Sequence, residues 1–107
     1  MKFGLTDNTV STMKLILSQF SEIDCAIIFG SRAKGNYKNG SDVDITLIGS
    51  NLSLELLAKI SSKLDDLSMP YTVDLSVFSM IENQDLIDHI KRVGKVLFAR
   101  SETNVLK

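Results

Sequence analysis

The chain reads as an α/β domain, a small sheet covered by helices, and three observations predict it. Apolar stripes at helical spacing alternate with short apolar runs of strand length; the run Ile27-Ile28-Phe29 is closed by Gly30-Ser31; and the run Val43-Asp44-Ile45-Thr46-Leu47-Ile48 opens on Asp42-Val43-Asp44. With 107 residues the sequence has the length of one domain, residues 1–107, and a chain of this size buries roughly 60–70% of its unfolded surface. That is enough for a single core and not for a second lobe.

Each element has its own warrant. From about Asp7 to Phe20, Val10, Met13, Leu17 and Phe20 recur every three or four residues, predicting an amphipathic helix with Asp7 as its N-cap. Residues 23–29 are almost continuously apolar, as suits a strand buried on both faces. The polar stretch from Gly30 to Ser41, with Gly35, Asn39 and Gly40, reads as a short helical turn and a loop. A second strand covers about 43–48. Ser53 caps the next helix, whose stripe is Leu54, Leu57, Ile60, Leu64 and Leu67, and Pro70 marks its end. Residues 71–77 alternate between apolar and polar, the pattern of a half-buried strand. Ser79-Met80-Ile81-Glu82 has the form of a capping box opening a helix that runs to Gly94. Lys95 to Ala99 can add a short final edge strand. The predicted order is α-β-α-β-α-β-α, then that strand.

Composition narrows the partners. Net charge is −1 and the basic residues are scattered, whereas a nucleic-acid binder needs a basic face to displace counterions; no direct nucleic-acid binding is expected. Cys25 is alone, inside an apolar run, which fits a buried core cysteine in a reducing compartment. No apolar stretch has the form of a signal peptide or the length of a membrane span, so the expected location is cytoplasmic.

The chemistry is concentrated in the first two strands. Alternate strand residues share a face, so Asp42 and Asp44 lie together while Val43 and Ile45 face the other way. By the same rule Asp74 shares a polar face with Thr72 and Ser76. If the two strands are neighbours, three carboxylates converge and repel one another. A hard divalent cation relieves that repulsion, and magnesium favours one or two carboxylates completed by phosphate oxygens. Two Mg2+ ions bridged by these acids would suit in-line displacement at phosphorus. Asp42 and Asp44 would bridge the metals, and Asp74 would serve the acceptor hydroxyl. Gly30 allows close backbone approach to phosphates, and Ser31 adds a hydroxyl at the mouth of a helical turn. Arg32 and Lys34 are candidates for neutralising phosphate charge, although either side chain could also turn to solvent or pair with a carboxylate.

Taken singly, an Asp-x-Asp is no more than a turn cap, and a Gly-Ser no more than a turn. Together, at two strand ends and with a third acid, they indicate a metal–phosphate site. Other motifs fail: Gly30-x4-Gly35 has P-loop glycine spacing, but Asn36-Tyr37 stands where Lys-Ser/Thr is required. No GxGxxG is present. His89 is the only histidine, without a second His or a Cys beside it, and reads as a structural surface or boundary residue. Asp65-Asp66 and Glu82, Asp85 and Asp88 read as solvated helix faces. Tyr37 could stack on a base or simply pack.

Gly30-Ser31-Arg32-Ala33-Lys34-Gly35, followed by Ser41-Asp42-Val43-Asp44-Ile45 and Val73-Asp74-Leu75, resembles the minimal nucleotidyltransferases of the DNA polymerase beta-like nucleotidyltransferase superfamily. The likeness covers nearly the whole chain, including the helix-Gly-Lys-Val-Leu-Phe ending. Lys34 stands where that family often has Arg. The resemblance implies a mixed sheet, magnesium, a nucleoside triphosphate (ATP favoured) and transfer of a nucleoside monophosphate to a hydroxyl of a partner protein or small molecule, with release of pyrophosphate. It also implies a small helical partner, either a HEPN-type toxin or a substrate-binding subunit, with the nucleotidyltransferase as the catalytic or antitoxin half. The rival reading is a non-catalytic antitoxin that occludes its partner. Neither the acceptor nor the base is written in the residues, and a homodimer and a hetero-complex are both compatible with the sequence.

Overall fold

In the computed structural model, which describes residues 2–38, 40–67 and 69–100, four strands form one sheet in the order β3-β2-β1-β4. They are β1 (Cys25–Phe29), β2 (Val43–Ile48), β3 (Val73–Val77) and β4 (Lys95–Ala99). The helices are α1 (Asp7–Ser18), α2 (Ser31–Lys34), α3 (Leu54–Asp65) and α4 (Gln84–Val93), with a 3-10 turn at Phe78–Met80. β1 runs antiparallel to both β2 and β4, while β2 and β3 are parallel. The sheet is therefore mixed. The parallel pair needs a crossover, and α3 supplies it.

Burial follows the alternation of side chains. Ala26 and Ile28 of β1, Val43, Ile45 and Leu47 of β2, and Val73 and Val77 of β3 face a core shared with Val10, Met13 and Leu17 of α1 and Ile60 and Leu64 of α3. Cys25, Ile27 and Phe29 face the other way, where Ile90 and Leu86 of α4 cover them together with Phe78 and Ile81. β1 is thus buried on both faces along its whole length, as its unbroken apolar run predicted. The result is three layers, with α1 and α3 behind the sheet and α4 in front.

Three local expectations are corrected. The N-cap of α1 is Thr6, whose hydroxyl accepts from the Thr9 N–H at 3.1 Å, and Asp7 occupies the first helical position, where a carboxylate suits the helix dipole. The Ser79–Glu82 capping box does not form. The 3-10 turn takes up Ser79, and α4 begins later with Asn83 as its cap, accepting from the Leu86 N–H at 3.2 Å. In α3 the cap is Ser53, as expected, but Leu54 of the apolar stripe is 70% exposed, and Leu52 is the buried residue at that end. Asn39, placed by the sequence in the turn with Gly40, lies outside the described residues.

Candidate active site

The sheet register brings the expected acids into one row. Phe29 of β1 pairs with Asp44 of β2, and Asp44 pairs with Asp74 of β3. Asp42 lies one residue before β2, and the next N–H, that of Val43, donates to the Thr72 carbonyl at 2.8 Å. The C-terminal end of β1 and the N-terminal ends of β2 and β3 therefore meet at one edge of the molecule, with Asp42, Asp44 and Asp74 pointing to the α4 side of the sheet. Asp42 and Asp74 are exposed and Asp44 is half-buried.

Gly30 follows directly. Its φ of 75° and ψ of −154° lie in a region that only glycine adopts without strain. The turn packs its Cα against the Asp44 carboxylate, so a Cβ there would stand 2.4 Å from Asp44 Oδ2. Glycine is required twice over, for its backbone angle and for the space. α2 then begins at Ser31; Gly35 N–H donates to the Ser31 carbonyl at 2.9 Å and closes this single turn. The N–H groups at the start of such a turn have no carbonyl within it to bond, and they lie one residue from the glycine that touches Asp44.

The electrostatics of the row agree with its geometry. Burial first, then the neighbouring carboxylates of Asp74 and Asp42, hold the Asp44 carboxyl above its ordinary range. An acid in this position gains from a cation. Among the described residues no three acidic, histidine or cysteine side chains form a ready-made metal cage. Magnesium uses one or two protein carboxylates and takes its remaining ligands from phosphate and water. Asp44 with Asp42 fits that requirement, and Asp74 stands beside them on the next strand.

The basic candidates separate. Lys34 is exposed at the last position of α2. Arg32, expected to meet phosphate, solvent or a carboxylate, is instead 4% exposed and turned inward. Its Nε and Nη2 donate to the Ser41 carbonyl at 3.0 and 2.8 Å, and its Nη1 donates to the Phe3 carbonyl at 2.8 Å. Its guanidinium lies over the rings of Tyr71, 4.6 Å from the centroid, and Tyr37, at 5.2 Å. The desolvated cation is compensated by two carbonyls and two π faces. Since Ser41 precedes Asp42, Arg32 anchors the loop that delivers the first carboxylate, and Tyr37 is part of that anchor.

Sequence reasoning passed over His89. Its Nε2 accepts from the Gly30 N–H at 3.1 Å, and its ring meets Phe29 edge-on with centroids 6.2 Å apart. No local pattern could have revealed a contact between residues 59 apart; the only signal was a lone histidine on the helix that covers the site. Cys25 is buried, and that burial pushes its thiol up, with Asp24 adding to the effect, as befits an unreactive core cysteine. A cleft of about 230 Å3 lined by Asn8, Thr9, Thr12, Leu67 and Met69 contains none of the site residues.

A family model described as polymerase beta nucleotidyltransferase matches residues 11–103 of this chain. No curated protein matches it in sequence. Among solved structures it is similar to a chain of a toxin–antitoxin complex determined with AMP-PNP, with TM-score 0.70 and 20% identity over 92% of this chain and 77% of that one. It is also similar to a chain of the complex between a tri-AMPylated HEPN toxin and an MNT antitoxin from Shewanella oneidensis, with TM-score 0.68 and 18% identity over 89% and 73% of the two chains. A chain of the MntA–HepT toxin–antitoxin gives TM-score 0.67 at 18% identity over 88% and 73%. At these identities the likeness is one of fold. Among the described residues no helix is long and apolar enough to cross a membrane.

Proposed function

This chain belongs to the polymerase beta-type nucleotidyltransferase family, and from that premise we propose that it transfers a nucleoside monophosphate, with ATP the favoured donor, to a hydroxyl of a small helical partner protein. The observation that carries the reading is the in-register pairing of Asp44 with Asp74, set beside a glycine turn that only an absent Cβ allows to touch Asp44. Metal-bound phosphate needs both parts, acid oxygens on one side and free backbone N–H groups on the other.

In this mechanism Asp42 and Asp44 would hold magnesium, and Asp74 would complete the set on the side of the acceptor. The metal, when bound, supplies positive charge that neutralises the triphosphate and stabilises charge developing at the reacting oxygens. Asp74, the most exposed position of its strand, takes the acceptor hydroxyl's proton or lowers its pKa. The acceptor oxygen forms a bond to the α-phosphorus as the bond from that phosphorus to the bridging oxygen of the β-phosphate breaks. Pyrophosphate leaves with the electron pair. Ser31 and the N–H groups opening α2 face the departing phosphates. Arg32 acts from behind, fixing the loop before Asp42, and exposed Lys34 is free to meet phosphate charge.

The likeness to toxin–antitoxin chains, one solved with AMP-PNP and one with an AMPylated toxin, supports a HEPN-type toxin as the partner and adenylate as the group transferred. The test is direct. The protein is recovered with its native partners and supplied with magnesium and α-phosphate-labelled ATP, GTP, CTP or UTP, beside an Asp42→Asn/Asp44→Asn double variant. Label on a partner with the wild type alone supports the transferase and identifies donor and acceptor. A stable complex that never takes up label, and is neutralised equally by the double variant, overturns it in favour of an antitoxin acting by occlusion.

A further inference from the structure

We propose that His89 is the positioning residue of the nucleotide site: its Nε2 holds the Gly30 peptide N–H, and so presets the Gly30-Ser31 turn against Asp44. The inference rests on the nucleotide-site reading above. Three contacts carry it. Nε2 accepts from the Gly30 N–H at 3.1 Å. The His89 ring is held edge-on by Phe29, the residue before Gly30 and the β1 partner of Asp44. Gly30 in turn abuts the Asp44 carboxylate with no room for a methyl group. α4 is thereby tied to a backbone segment whose angles only glycine adopts without strain.

The bond also decides which N–H groups serve a ligand. A backbone amide can only donate, so Nε2 must be the bare nitrogen of a neutral ring whose hydrogen sits on Nδ1. The Gly30 N–H is then already engaged, and the amides offered to phosphate begin at Ser31. Without an acceptor at residue 89, the Gly30 peptide is free to rotate, and the turn loses its register with Asp44. A bound triphosphate would have to reorder that turn, at a cost to affinity.

The experiment compares the wild-type chain with His89→Gln, His89→Asn and His89→Phe. The amide oxygen of Gln reaches about as far as Nε2; that of Asn stops near the Nδ1 position; Phe keeps the ring and removes the acceptor. Binding of magnesium α,β-methylene-ATP, which cannot transfer its nucleotide, is measured by calorimetry at a temperature where circular dichroism shows each variant folded. Amide hydrogen exchange at Gly30 is followed by NMR. We expect His89→Gln to bind within about threefold of wild type, and His89→Asn and His89→Phe to bind about tenfold more weakly, the scale of one lost neutral hydrogen bond. Gly30 should stay protected in the first and exchange faster in the other two. Equal affinity across the series, or a His89→Gln variant as impaired as His89→Asn, overturns the inference, as does unchanged Gly30 protection in His89→Asn. If His89→Phe fails to fold, the Gln and Asn pair decides alone. A wild type that binds no magnesium nucleotide instead defeats the nucleotide-site reading, and Gly30 exchange still reports separately on the His89 bond.

Discussion

Gly30 and Asp44 form a contact that leaves no room for a side chain at position 30. An alanine at position 30 must adopt a positive φ and displace the Asp44 carboxylate. We expect Gly30→Ala to lose roughly 1–3 kcal/mol of stability in urea unfolding and, since misplacement by about 1 Å costs about a hundredfold, to lower labelled transfer by at least that factor. Asp44→Asn should separate stability from function. The folded state raises the Asp44 pKa above 3.8, so it binds this proton more readily than the unfolded chain does. The sign follows: without metal, the Asp44 contribution to stability falls as pH rises from 3.8 through the raised value, and it is restored on acidification. Asp44→Asn removes that slope. Thermal unfolding from pH 3.8 upward in the absence of magnesium should show the variant melting above wild type at neutral pH, with the gap closing as pH falls, while magnesium-nucleotide binding is lost.

At the scale of elements, the loop before β2 depends on a side chain from the turn before it. Arg32 reaches two carbonyls, and the N-terminal segment that supplies one of them packs so closely that a Cβ at Gly4 would stand 2.5 Å from the Tyr37 ring. Lysine carries the charge but not the fork. Arg32→Lys is expected to lower stability by ~1–3 kcal/mol in urea unfolding and to weaken magnesium-nucleotide binding, because Ser41 and hence Asp42 lose their anchor. This role was not legible in the sequence, where Arg32 looked like a phosphate ligand; its partners are backbone carbonyls and rings that come together only on folding. The first two strands, by contrast, were legible from their apolar runs and the third from its alternation, as was the placement of Gly30, Asp42 and Asp44 at strand ends. The start of α4 was misread because Ser79 and Asn83 both make good caps, and tertiary packing of Phe78 and Ile81 on the sheet selected the second. That Asp74 would stand beside Asp44 was legible only as a condition, since neighbour strands in a sheet are set by the crossover and not by local pattern.

For the molecule as a whole, a site made of repelling acids makes the ligand part of the fold's stability. Magnesium and ATP together should raise the melting temperature by several degrees, since a ligand at about a hundred times its Kd adds ~2.7 kcal/mol to the folded state. The Asp42→Asn/Asp44→Asn variant should show no such shift, and magnesium alone should give only a small part of it in the wild type. The parallel pairing of β2 with β3 carries one more consequence. Asp74 faces the site because Val73 and Val77 face the core. A slip of β3 by a single residue would turn both valines toward water and carry Asp74 under the sheet. Correct pairing is thus enforced by the hydrophobic core, and a well-folded copy with its third acid misplaced is excluded on energetic grounds. A folded copy is therefore one in which Asp74 stands beside Asp44.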